Sequence, residues 1–74
     1  MYRVKNNTYS FLYINGFRIE KGETSPLYKK NQTLTCQTEN DTIIIKLEEN
    51  SISSKGNGKL FAENDDGIIC VSEK

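Results

Sequence analysis

Short β-branched and aromatic runs recur along this chain, alternating apolar with polar in Phe17-Arg18-Ile19-Glu20 and Thr33-Leu34-Thr35-Cys36-Gln37 and apolar nearly throughout in Phe11-Leu12-Tyr13-Ile14 and Ile43-Ile44-Ile45. A period of two is that of a pleated strand with one face in a core. No stretch of ten or more residues carries apolar side chains at i, i+3, i+4 and i+7, and clusters of Asn, Gly, Asp and Ser punctuate the runs. The pattern predicts an all-β chain with strands over residues 2–5, 8–14, 17–21, 33–38, 42–48, 51–54, 58–62 and 68–72. The expected architecture is a small antiparallel β-barrel or two-layer β-sandwich of six to eight short, meander-like strands, with residues 1–74 as one domain.

Turn chemistry sharpens this. Asn15-Gly16 between two runs calls for a two-residue type I′ turn, because both residues tolerate positive φ. The pairing that follows is Ile14 with Phe17, Tyr13 with Arg18, Leu12 with Ile19 and Phe11 with Glu20. In the second hairpin, Leu34 and Cys36 must share a face with Ile43, Ile45 and Leu47. A three-residue loop fails that test, whereas a four-residue loop over Glu39 to Thr42, or an equivalent bulge, pairs Cys36 with Ile45 and Leu34 with Leu47. Lys55-Gly56-Asn57-Gly58 and Glu63 to Gly67 are expected to be short meander turns. Lys21 to Gln32, which holds the only Pro, is expected to cross from one sheet to the other. The predicted core is Val4, Leu12, Ile14, Phe17, Ile19, Leu34, Cys36, Ile43, Ile45, Leu47, Leu60 and one face of Ile68 to Val71.

At 74 residues and 35% hydrophobic content, a single core supplies only about 3–5 kcal/mol without a staple or partner, so a homo-oligomer is a natural expectation. The composition is neither that of a membrane span nor of a disordered chain. Cys36 and Cys70 have no C-x-x-C spacing and no His to complete a zinc shell, so both are expected as reduced core residues, a disulfide being the secreted alternative. No apolar run follows the basic N-terminal residues, which makes a cytoplasmic location the expectation. Three N-x-T sequons, at Asn6, Asn31 and Asn40, arise readily by chance in a chain with eight Asn. Eight Ile, eight Lys and eight Asn against one Ala suggest an AT-rich coding sequence, such as that of a phage or other mobile element of a low-GC host.

Catalytic and cofactor motifs are weak throughout. Asn64-Asp65-Asp66-Gly67 lacks the alternating ligands of a calcium loop, and KGNGK at Lys55 to Lys59 lacks the following Ser or Thr and helix of a phosphate-binding loop. The stretch YINGFRIEKGETSPLYKKNQTL resembles the middle of a forkhead-associated domain, where an Asn-Gly turn and a later Lys-Gly sit between short strands. The upstream Gly-Arg and Ser-x-x-His elements that bind phosphothreonine in that family have no counterpart, so the likeness is that of one hairpin. With no His, and no Ser or Cys beside an activating partner, the sequence points away from an enzyme and names no cofactor and no metal.

What remains is a surface. Tyr9, Phe11 and Tyr13 recur every second residue on the face opposite Leu12 and Ile14, with Arg18 across the hairpin and Lys5 nearby. Such a stripe is either sandwich core or a contact surface that anchors a protein or stacks bases. Residues 1–30 carry net charge +4 and residues 31–74 carry −4, a polarity suited to steering or self-pairing, while zero net charge disfavours nucleic acid. The expected function is a non-enzymatic protein-binding module, a small phage-type inhibitor or assembly component, acting through Tyr9, Phe11, Tyr13, Arg18 and Lys5. Single-stranded nucleic-acid binding by the aromatic face and oligomeric sequestration of a small anion are its rivals.

Overall fold

A computed structural model describes residues 1–74 as eight strands: β1 (Arg3–Asn7), β2 (Leu12–Ile14), β3 (Phe17–Ile19), β4 (Thr33–Gln37), β5 (Asp41–Lys46), β6 (Ser51–Gly56), β7 (Leu60–Asp65) and β8 (Ile68–Glu73). The protein is all-β, and no helix is long and apolar enough to cross a membrane. The strands form a two-layer sandwich. One sheet has five strands in the order β3-β2-β4-β5-β6, the other three in the order β1-β8-β7. All pairings are antiparallel except β1 with β8, which is parallel and joins the two ends of the chain.

The Asn15-Gly16 turn forms as its chemistry dictates, with φ of 50° and 84°, and sets Leu12 opposite Ile19, Tyr13 opposite Arg18 and Ile14 opposite Phe17. That ladder stops at Leu12, one pair short of Phe11 and Glu20. Residues 8–10 are not strand, because Asn6 and Thr8 side chains capture the backbone there. The β7–β8 hairpin turns tightly through Asp66-Gly67, with φ of 52° and 89°, so Asn64 to Gly67 is a plain type I′ hairpin.

The second hairpin keeps the expected faces but slips by two residues. Cys36 lies opposite Ile43 and Leu34 opposite Ile45, and Thr38 N–H donates to Asp41 O at 2.9 Å, closing the loop over Glu39-Asn40 alone. Two- and four-residue loops place the same side chains inward, so parity could not separate them. The Gly56 to Gly58 segment is not a meander turn. It carries the chain from the edge strand β6 into the other sheet, and Gly56, at φ 94°, sits where a Cβ would lie 2.4 Å from Asn40 O. The long connection after β3 does reach the second sheet: Thr24 bridges Lys5, and Tyr2 and Tyr28 exchange hydrogen bonds at 2.8 and 2.7 Å. It then returns to the first sheet as β4, beside β2.

Twelve buried apolar side chains fill the space between the sheets. Val4, Leu60, Ile69 and Val71 come from the three-stranded layer; Leu12, Ile14, Ile19, Leu34, Cys36, Ile43, Ile45 and Leu47 come from the five-stranded layer and its β5–β6 loop. Phe17 and Cys70 are the expected core residues outside this cluster; Phe17 is 51% exposed at the tip of an edge hairpin with no strand beyond it. Cys70 also departs from expectation. Its neighbours Ile69 and Val71 face inward, so Cys70 faces outward and is half-buried, in a different layer from the interior Cys36.

Candidate functional site

Tyr9, the exposed aromatic residue of the stripe, is presented by a loop held from beneath. Asn6 is fully buried, and its side-chain amide donates to Ser10 O (2.9 Å) and Ile19 O (3.2 Å) while its oxygen accepts from Thr8 N–H (2.9 Å) and Thr8 Oγ1 (2.5 Å). Every hydrogen-bonding valence of the amide is thereby used. With Thr8 and Ser10 both tied to Asn6, the residue between them, Tyr9, projects outward and is 67% exposed. The same burial removes Asn6 as a glycosylation acceptor in the folded chain.

Phe11 and Tyr13 lie on the outer face of the five-stranded sheet, half-buried by each other. Their rings meet edge to face, 5.5 Å between centroids at 79°. The Arg18 guanidinium sits 4.3 Å from the Phe11 centroid and pairs with Glu20 at 2.6 Å. That hydrogen bond raises Arg18 and holds Glu20 below the usual carboxylate range. Both groups are exposed, so the pair contributes little to stability. It does occupy Arg18 within the chain. No second layer covers this face, so the stripe is not sandwich interior.

Tyr9 and Phe11 border a shallow cleft against the tip of the β4–β5 hairpin, lined also by Thr38, Glu39, Asn40 and Glu73. Glu73 Oε1 accepts from the Tyr9 backbone N–H at 3.3 Å. The stripe therefore faces carboxylates at its exposed end. Lys5 stands apart from it, on the outer face of the other sheet opposite Cys70. Of the five residues expected at the site, Tyr9, Phe11, Tyr13 and Arg18 are together and Lys5 is not. Glu39 and Glu73 join them without any sign along the sequence, since Tyr9 and Glu73 are 64 residues apart.

No three His, Cys, Asp or Glu side chains converge as a ligand set for a metal ion. Cys36 lies in the core, where burial pushes its thiol up to about 12, and so is inert as a nucleophile. What the arrangement brings together is aromatic faces, carboxylates and an open cleft between them. Comparison with protein-family models, curated proteins and solved structures finds no match to this chain.

Proposed function

We propose that the chain is a non-enzymatic protein-binding module whose contact surface is the Tyr9, Phe11 and Tyr13 stripe with the adjoining cleft. The observation that carries this reading is the cleft in which exposed Tyr9 and half-buried Phe11 meet Glu39 and Glu73. An aromatic face beside carboxylates suits a Lys or Arg side chain of a partner protein, through cation–π contact and charge-assisted hydrogen bonds. The same carboxylates repel a phosphate backbone, and Arg18, which lies over the Phe11 ring, is already paired with Glu20. These features favour a basic protein segment over single-stranded nucleic acid or a small anion. A role as an inhibitor or assembly component fits a scaffold of this size, which presents a rigid face and little else.

Selection from a random peptide library tests the proposal. Enriched peptides are expected to carry Lys or Arg, and to lose binding to Glu39→Lys with Glu73→Lys and to Phe11→Ser with Tyr13→Ser. Circular dichroism on each variant confirms that the fold survives. Peptide binding that both folded double variants retain would place the contact elsewhere. Binding to single strands that weakens steeply with salt and is lost on Tyr13→Ala would favour the nucleic-acid reading instead.

A further inference from the structure

The outer face of the three-stranded sheet has its charges sorted by strand. With β1 and β7 in register on either side of β8, the outward side chains fall into three rows: Arg3, Ile68, Asp65; then Lys5, Cys70, Glu63; then Asn7, Ser72, Phe61. The cations of these rows stand on β1 and the carboxylates on β7. Between them runs a strip of Ile68, 45% exposed, and half-buried Cys70, with Phe61, 39% exposed, at one corner. The two charged columns are two strand spacings apart, about 10 Å. The ion pairs of the chain are Arg18 with Glu20 and Lys46 with Glu49, so all four charges of this face are unpaired.

We propose that this face is the interface of a homodimer, with a second copy packed face to face about a two-fold axis that runs along β8. Such an axis carries the β1 column of each copy over the β7 column of the other. Arg3 then meets Asp65 of the partner subunit, and Lys5 meets Glu63 of the partner subunit. Ile68 and Cys70 lie near the axis, against the same residues of the other copy. Turning the axis across the strands would set β1 over β1 and β7 over β7, with like charges facing, which is strongly unfavourable. The charge pattern thus selects one isologous arrangement. Aligned sheets cross at about 30°, which an axis tilted from β8 by half that angle satisfies.

The size of the face makes the association a weak one. Three strands and the flanking Thr24 to Tyr28 segment present roughly 300–400 Å² of flat surface per copy, from strand spacing and rise. A standard interface takes about 800 Å² from each partner. The dimer is therefore weak and reversible, and dissociation constants of about 0.1–1 mM are the range to search. It uses the layer opposite Phe11 and Tyr13 and leaves those rings free.

Sedimentation equilibrium at low salt, from about 20 µM to 1 mM, brackets that range. The parent chain is expected to dimerise, less so as salt is added. Arg3→Glu with Lys5→Glu, and separately Glu63→Lys with Asp65→Lys, each weaken self-association by about tenfold or more. An equimolar mixture of the two variants associates, and the chain carrying all four substitutions dimerises again, because the swapped face is self-complementary. A short bis-maleimide links two copies through Cys70, while Cys36 is shielded in the core. A parent chain that stays monomeric at about 1 mM, a dimer indifferent to both reversals, or a mixture that fails to associate would each overturn the proposal.

Discussion

Replacing Asn6 by Ala removes the amide that fastens the Tyr9 loop, and its cost can be worked from the hydrogen bonds it breaks. Four contacts are lost, to Ser10 O, Ile19 O, Thr8 N–H and Thr8 Oγ1. Ser10 O and Thr8 Oγ1 keep their bond to one another at 3.1 Å, so they are not left bare. Thr8 N–H and the second valence of Ile19 O lose their partners in a buried setting. Each orphaned group costs about 1–3 kcal/mol, which gives roughly 2–6 kcal/mol for the pair. A chain of this size has only about 3–5 kcal/mol to lose. Asn6→Ala is therefore expected to be largely unfolded in water, whereas Asn7→Ala, on the exposed side of the same strand, stays within about 0.5 kcal/mol of the parent. Urea unfolding followed by far-UV circular dichroism measures both. Asn6→Asp adds a control of sign: it keeps the acceptor for Thr8 but points a buried carboxylate at two carbonyls, which raises its folded pKa. Its stability is then lowest at neutral pH and recovers as pH falls. An Asn6→Ala chain within about 1 kcal/mol of the parent would refute the claim that this amide holds the loop.

Gly56→Ala puts a methyl 2.4 Å from Asn40 O at φ 94° and is expected to cost more than about 2 kcal/mol. Gly16→Ala, at φ 84° with nothing within 4 Å, costs about 1 kcal/mol; equal losses in thermal unfolding would show that the Asn40 approach does not matter. Alkaline stability falls because the folded chain retains protons that the unfolded chain releases: burial pushes Cys36 from 9.0 up to about 12, and burial, then the Cys36 charge, raises Tyr28. Stability is full below about pH 9 and declines toward 12, by up to ~1.4 kcal/mol per pH unit for the thiol. Cys36→Ala flattens that limb while lowering the plateau, and a parent urea midpoint unchanged between about pH 8 and 10.5 would contradict the assignment.

Much of the interior was readable because strand parity is unforgiving. Leu12, Ile14, Leu34, Cys36, Ile43 and Ile45 could share a face in only one phase, and Asn15-Gly16 pinned one register outright. Parity is blind to shifts of two, so the β4–β5 loop came out two residues shorter than expected. It also says nothing about what lies beyond an edge, which is why Phe17 reads as core and is exposed. The parallel pairing of β1 with β8 joins residues from opposite ends of the chain and leaves no local trace. Asn6-Asn7-Thr8 reads as polar surface, and only the fold shows Asn6 closed off from water with each valence filled. At the site, the aromatic stripe was visible as a period of two, while Glu39 and Glu73 reach it only through tertiary structure.

The pairing of the two terminal strands also determines how the molecule bears load. In a parallel pair, the N-terminal end of β1 and the C-terminal end of β8 lie at opposite ends of the same ladder, from Arg3 beside Ile68 to Asn7 beside Ser72. Tension applied between the termini pulls these strands lengthwise past one another. The hydrogen bonds lie across the direction of pull, so they share the force and fail together. The β7–β8 hairpin, drawn open from Leu60 and Glu73 away from its turn, would instead unzip rung by rung. A pulling experiment through the chain ends is thus expected to show a single high-force rupture, and attachment at Leu60 and Glu73 a gradual low-force opening.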